Sequence, residues 1–242
     1  MSKPSKKILT FLLAGGILAA GVAFQSRYQE PAPLRPAVPV LAPAARTEGL
    51  GASLLALDRK AFSVLHYGKP SPLDYVFGWT TFLGTKACLL VLIFLFMAIW
   101  DPSCLWRRFG FVAAAVLIQE GLVNLTKMIS SRPRPFMDFQ QGALPGMETV
   151  RVLFHPPTSQ SFPSGHAAGV FCAAYLLNRL YGGKLPFLYV LAAVIAFSRI
   201  HIGVHYPADV LAGTALGFLC GHLSWKLWER ARTAKGLKPQ VE

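Results

Sequence analysis

The stretch Ser198-Arg199-Ile200-His201-Ile202-Gly203-Val204-His205-Tyr206-Pro207-Ala208-Asp209 lies between two strongly apolar runs. An arginine, histidines and a carboxylate at a membrane boundary are costly unless they have partners and a task. Two earlier stretches offer such partners. One is Lys127-Met128-Ile129-Ser130-Ser131-Arg132-Pro133-Arg134-Pro135; the other is Pro163-Ser164-Gly165-His166.

The chain has 242 residues, 53% hydrophobic and 14% charged, which is too apolar for an ordinary soluble domain. Its apolar residues come in blocks long enough to cross a bilayer, and its length suits one compact domain. A formal charge of +13 often marks a nucleic-acid partner. Here the basic residues divide between loop ends and the stretches above, so they read as topology signals and anion ligands, and no nucleic acid is expected. Cys88, Cys104, Cys172 and Cys220 are far apart and show no metal-ligand spacing. They read as small core residues.

In chain order, Lys3, Lys6 and Lys7 precede an uncharged run over 8–24. Residues 1–24 are read as an uncleaved first transmembrane helix, with a secretory signal as the alternative. Residues 25–54 are rich in proline and alanine, and the close spacing of Pro31, Pro33, Pro36, Pro39 and Pro43 forbids a helix and favours an extended periplasmic linker. Residues 54–66 suit a short amphipathic helix on the membrane surface with Asp58, Arg59 and Lys60 exposed. Further spans are expected over 82–100, 109–126, 164–180, 186–198 and 207–228. The membrane domain is thus placed at 55–228, followed by a basic cytoplasmic tail over 229–242. Glu120 falls seven residues before Lys127, on the same helical face. It reads either as a support for that lysine or as a packing carboxylate.

Parity then decides where the polar stretches meet. The first ends the third span and the second opens the fourth, so both lie on one membrane face. The fourth and fifth spans cross and return, bringing Ser198–Asp209 back to that face. The Lys-rich N-terminus orients the site outward. The expected fold is all-α: a polytopic six-transmembrane-helix bundle with an outward-facing active site in the bacterial inner membrane.

The residue types define a chemistry. Lys127, Arg134 and Arg199 supply positive charge of the kind that stabilises the equatorial oxygens of a phosphoryl group in transfer. Ser164 suits an N-cap, and free amides at a helix start bind anions; Gly165 lets the backbone come close. Pro207 biases Tyr206 out of the helix, and Asp209 in the next first turn can reach back to one nitrogen of His205. That fixes the tautomer and leaves the other nitrogen free to attack.

Lys-x6-Arg-Pro, Pro-Ser-Gly-His and Ser-Arg-x5-His-x3-Asp, in that order, resemble the signature of the type 2 phosphatidic acid phosphatase family, which also includes vanadium haloperoxidases. The resemblance covers roughly residues 55–228. It implies that His205 is the nucleophile, forming a phosphohistidine, and that Asp209 orients it. It implies that His166 protonates the leaving oxygen and then activates water, while Lys127, Arg134, Ser164, Gly165 and Arg199 hold the phosphate. No metal or other cofactor is implied. His201 has no motif role and reads as lining or structural, and His66, His155 and His222 have no partner visible in the sequence.

The expected activity is hydrolysis of a lipid phosphate monoester or diphosphate, with membrane lipids as surroundings. Undecaprenyl diphosphate, phosphatidylglycerophosphate and phosphatidic acid lead as substrates, and lipid A phosphate is the alternative. A lipid phosphotransferase uses the same residues, whereas a non-catalytic lipid transporter requires only the basic cluster. The sequence leaves the oligomeric state open.

Overall fold

The computed structural model describes residues 50–66, 68–144, 146–153, 157–234 and 236. The expected first helix over 1–24 and most of the linker lie outside them, as do His155 and the end of the tail. Among the described residues the regular structure is entirely helical, without strands. The helices are α1 (Leu50–Leu65), α2 (Leu73–Leu83), α3 (Lys86–Trp100), α4 (Leu105–Ser130), α5 (Pro135–Gln140), α6 (Gly165–Leu180), α7 (Phe187–His201) and α8 (Pro207–Ala234).

α6 is the axis of the bundle. It packs against α8, α7 and α4, and most of its side chains are buried, among them Ala167, Ala168, Cys172, Ala173 and Leu176. Small residues let α8 approach closely. A Cβ at Gly213 would overlap the Ser164 carbonyl oxygen, and one at Gly217 would overlap that of Ala168. This contact sets the start of α6 directly against the start of α8, where the Ser164 N–H donates to the Asp209 carbonyl at 2.9 Å.

The outer surface is apolar. Leu117, Ile118, Leu122 and Leu125 on α4, Val190 on α7, and Leu211, Leu219 and Leu227 on α8 are all exposed. The buried set, by contrast, includes Arg134, Arg199, His205 and Asp209. Large continuous apolar exposure around a charged interior suits a lipid surrounding rather than water. Among the described residues one helix is long and apolar enough to cross a bilayer alone, α4 running on into α5. A second is added if α2 and α3 form one bent span, and α7 is apolar but short.

Two expectations need correction. The span foreseen over 82–100 is broken: α2 and α3 meet at 71°. Gly84 ends α2, and Thr85 is extended (φ −66°, ψ 143°), its hydroxyl donating to the Phe82 carbonyl at 2.8 Å. The second correction concerns α1. It is amphipathic, but Asp58 is buried and Arg59 turns inward, because each finds an opposite charge in the bundle. Lys60 is exposed as expected, and the rest of the outer face of α1 includes Leu54, Leu57 and Val64. Residues 50–54, placed in the linker from their sequence, begin this helix. The last helix continues past Trp228 to Ala234 through Arg230 and Arg232.

Candidate active site

The turn between α7 and α8 carries the central histidine. Arg199 ends α7, and its carbonyl accepts the N–H groups of Val204 and His205, both at 3.2 Å. Gly203 makes the turn at φ +75°, and any Cβ there would overlap the Arg151 carbonyl. Only glycine meets both demands. Pro207 then occupies the first position of α8, where its missing N–H costs nothing. Asp209 stands two residues on, and its Oδ2 accepts the Tyr206 N–H at 2.9 Å, the return half of a capping box.

Asp209 is fully buried and densely bonded. Its Oδ2 also accepts from the Ser161 hydroxyl at 2.5 Å, and its Oδ1 accepts from Arg132 at 2.7 Å. His205 Nδ1 lies 3.6 Å from Asp209 Oδ2 and 3.5 Å from Ser161 Oγ. The carboxylate therefore stands behind the Nδ1 edge of the ring, as the spacing predicts, with Ser161 wedged beside it. His205 Nε2 faces the other way, 3.3 Å from Arg134 NH1. Burial is the main force pushing the His205 imidazolium well below its usual range, followed by the fields of Arg134, Arg199 and Lys127; its bond to Ser161 opposes them. These influences favour the neutral ring over the imidazolium.

The cationic side is built from three elements. Arg134, at the start of α5, is buried and donates to the carbonyls of Ser159, Gln160 and Val204 and to the Ser159 hydroxyl. Arg199 is buried and donates to Thr81 Oγ1 at 2.5 Å, while its Nε is without a partner. Lys127 reaches Ser159 Oγ at 3.4 Å from the last turn of α4. Ser164 caps α6, its hydroxyl accepting from the Ala167 N–H at 3.5 Å, so the helix start opens toward the same group. His166 feels the charges of Arg199, His205, Lys86 and Lys127, and its ring lies against Gly84, where an added Cβ would come within 3.0 Å.

All eight residues singled out in the sequence thus meet at one end of the bundle. Several contributors were not foreseen. Ser161 and Arg132 hold Asp209; Asp58 holds Arg132 at 2.5 Å; Thr81 holds Arg199. Lys86 pairs with Glu120, and both lie beside Gly165: a Cβ there would be 3.6 Å from Lys86 Nζ and 3.5 Å from Glu120 Oε2. Glu120 thus makes its ion pair with Lys86, although its charge also acts on Lys127. A loop serine such as Ser161 or an Asp on an amphipathic helix carries no signal of such a role. The Arg132 signal was present in Arg-Pro-Arg-Pro, but only its second arginine fits the motif.

The remaining described histidines, His66, His201 and His222, have structural partners. His201 Nε2 meets Asp74 at 2.9 Å, and Asp74 also binds Arg151 at 2.7 Å. His66 bonds to the His201 carbonyl and accepts the Arg151 N–H; His222 meets the Tyr175 hydroxyl at 2.9 Å. Among the described residues no group of three or more His, Cys, Asp and Glu is placed to hold a metal ion.

A buried histidine backed by a carboxylate thus faces a cationic cradle suited to an anion, at one end of an apolar-surfaced bundle. The PAP2 superfamily model matches residues 108–233, just over half of the chain, and the chain belongs to that superfamily. It is 37% identical over 116 residues to decaprenylphosphoryl-5-phosphoribose phosphatase of Mycobacterium tuberculosis, covering 48% of this chain and 59% of that protein. It therefore spans less than two thirds of that relative. It is 24% identical over 185 residues to lipid A 4'-phosphatase of Porphyromonas gingivalis, covering 74% of this chain and 76% of that one. Among solved structures, Aquifex aeolicus LpxE superposes with a TM-score of 0.57 at 28% identity, over 78% of this chain and 99% of that one. The transmembrane PAP2-type phosphatidylglycerolphosphate phosphatase of Bacillus subtilis shares the fold, with a TM-score of 0.59 at 24% identity over 74% and 87% of the two chains.

Proposed function

We propose that this protein is a membrane lipid phosphatase that works through a phosphohistidine intermediate. The observation that carries the reading is the position of His205. Its Nε2 faces the cradle of Arg134, Arg199, Lys127 and the α6 N-terminus, and its Nδ1 backs onto Asp209. In the first step the Nε2 lone pair attacks phosphorus, the bond to the lipid oxygen breaks, and His166 gives that oxygen a proton. In the second, His166 takes a proton from water, hydroxide attacks phosphorus, and the P–N bond breaks to free His205. The cradle supplies the charge stabilisation that metal ions supply in other phosphoryl-transfer sites, so no metal is assigned.

The substrate class is a phosphorylated lipid. The named relatives are a decaprenylphosphoryl-5-phosphoribose phosphatase and a lipid A 4'-phosphatase, and the apolar rim of the bundle suits a substrate whose tail stays in the bilayer. Undecaprenyl diphosphate, phosphatidylglycerophosphate and phosphatidic acid head the panel. The six-span topology, the bacterial inner membrane and an outward-facing site belong to the same reading. They are supported by basic residues at the opposite end of the bundle: Arg107 and Arg108 in the first turn of α4, Arg179 in the last turn of α6, Lys184 in the loop before α7, and Arg230 and Arg232 in the last turns of α8.

Purified protein in detergent, given the lipid panel in the presence of a strong chelator, should release inorganic phosphate, and orthovanadate should inhibit it. Phosphate transfer to a lipid acceptor without free phosphate would instead mark a transferase. Activity lost to the chelator and restored by magnesium would overturn the mechanism.

A further inference from the structure

α1 lies outside the span matched by the family model, yet it grips the catalytic turn at two points. Asp58 Oδ2 accepts from Arg132 NH2 at 2.5 Å, while Arg132 NH1 donates to Asp209 at 2.7 Å. One guanidinium thus bridges two carboxylates, and its face lies 4.3 Å from the centre of the Tyr206 ring. The other Asp58 oxygen accepts the Ala208 N–H at 2.8 Å. Ala208 is the second residue of α8, whose N-cap position is occupied by Tyr206, a residue unable to cap it. Asp58 therefore caps α8 from 150 residues away. Beside it, Arg59 binds Asp138, which accepts the Tyr206 hydroxyl at 2.6 Å.

We infer that Asp58 is a positioning residue for the reaction: it shares Arg132 with Asp209 and caps the first turn of α8, so that Asp209 keeps the charge and register with which it orients His205. The inference rests on the reading of His205 as nucleophile. Its physical basis is a charge count. Arg132 paired with Asp209 alone is neutral and offers little to an imidazole gaining positive charge. With Asp58 added, the group carries one net negative charge behind Nδ1. His205 otherwise faces Lys127 from α4, Arg134 from the start of α5, His166 from α6 and Arg199 from α7, with the neutral Ser161 beside it. The Asp58–Arg132–Asp209 group is the negative counterweight to that set.

Asp58 touches no part of the cradle, so its loss acts on turnover rather than on binding. Asn at this position can keep one oxygen for either Ala208 or Arg132, but not for both, and it removes the charge. D58N should lower kcat about tenfold or more with KM for the lipid unchanged. The acid limb of kcat/KM should move to lower pH, because a lost negative charge makes His205 harder to protonate. R132Q removes the opposite charge and should move the limb to higher pH. D58E, which restores the charge, should recover part of kcat. These opposed shifts are what a merely structural role would not produce.

The experiment is a pH profile of phosphate release for wild type, D58N, D58E and R132Q, using a lipid that the wild type hydrolyses. Wild type inactive on every lipid tested overturns the functional reading itself. Active wild type with D58N unchanged in kcat and acid limb overturns the role of Asp58, as does a lower yield of folded D58N whose limb has not moved. If D58N does not fold, R132Q alone decides, and an unmoved or downward limb overturns the inference.

Discussion

Arg134 and His205 face each other across 3.3 Å, NH1 to Nε2, while the same NH1 donates to the Val204 carbonyl at 2.8 Å. A guanidinium has no lone pair to give, so contact of this kind needs Nε2 as the acceptor and leaves the ring proton on Nδ1. The nitrogen turned toward the cradle is the bare one.

Arg134 should therefore resist conservative replacement. Arg134→Lys keeps a positive charge but strands the carbonyls of Ser159, Gln160 and Val204 that the fork satisfies. We expect kcat/KM to fall on the order of 10²–10³-fold, as for loss of a preorganised donor to the reacting group. Steady-state kinetics on Arg134→Lys checks this, and a loss below threefold would contradict it.

The two histidines should separate by leaving group. His205→Ala should abolish turnover of every substrate. His166→Ala should cost on the order of 10²–10⁴-fold on a lipid monoester, whose alkoxide needs a proton to depart. An aryl phosphate leaves without one, so this variant should accumulate phosphohistidine from it. Rapid-quench detection of acid-labile, base-stable protein-bound phosphate is the measurement. Labelling of His205→Ala but not His166→Ala would reverse the roles.

The pH dependence follows from the lowered His205 pKa. Its imidazolium is disfavoured in the folded site, so the ring proposed as nucleophile should stay neutral below the ordinary histidine value of about 6.5. The acid limb of kcat/KM, which reports the free enzyme, should lie below that value. Stability carries the same sign. The unfolded chain binds the proton more readily, so His205 contributes stability above about pH 6.5 that declines as pH falls below it. Thermal unfolding across that range tests the second half.

Close helix contact gives a prediction with an internal control. Gly217→Val would drive a side chain into the Ala168 carbonyl and should destabilise by about 1–3 kcal/mol or more. Gly121→Ala in the middle of α4 meets nothing within 4 Å and should gain about 0.5–1 kcal/mol instead. Unfolding in detergent compares them directly.

Topology is open to chemical labelling through Cys104, half-buried in the turn between α3 and α4. An impermeant thiol reagent applied to intact cells should leave it unmodified. Rapid labelling from outside would invert the orientation.

The site was legible where chemistry and local structure share one residue. Ser164 caps α6, as its place between Pro163 and a long apolar run announced. Pro207 marked the start of α8 and thereby the place of Asp209. The bend at Gly84 was hidden because Thr85 and Lys86 read as the polar end of one apolar span, and hydropathy does not see a turn. Asp58 was hidden for another reason. A charged residue on an amphipathic helix ordinarily faces water, and its partner Arg132 lies 74 residues away. Ser161 and Thr81 are hydroxyls whose meaning depends wholly on the distant groups they meet.

The bridge from Asp58 through Arg132 to Asp209 also has an order in time. Arg132 is synthesised 74 residues after Asp58 and 77 before Asp209. At roughly 5–20 residues per second, it waits about 4–15 s for its second carboxylate. A guanidinium largely buried in protein, as Arg132 is, is costly without an opposite charge. Asp58 is already made when Arg132 emerges, so a nascent chain that ends before α8 still offers this arginine one counterion.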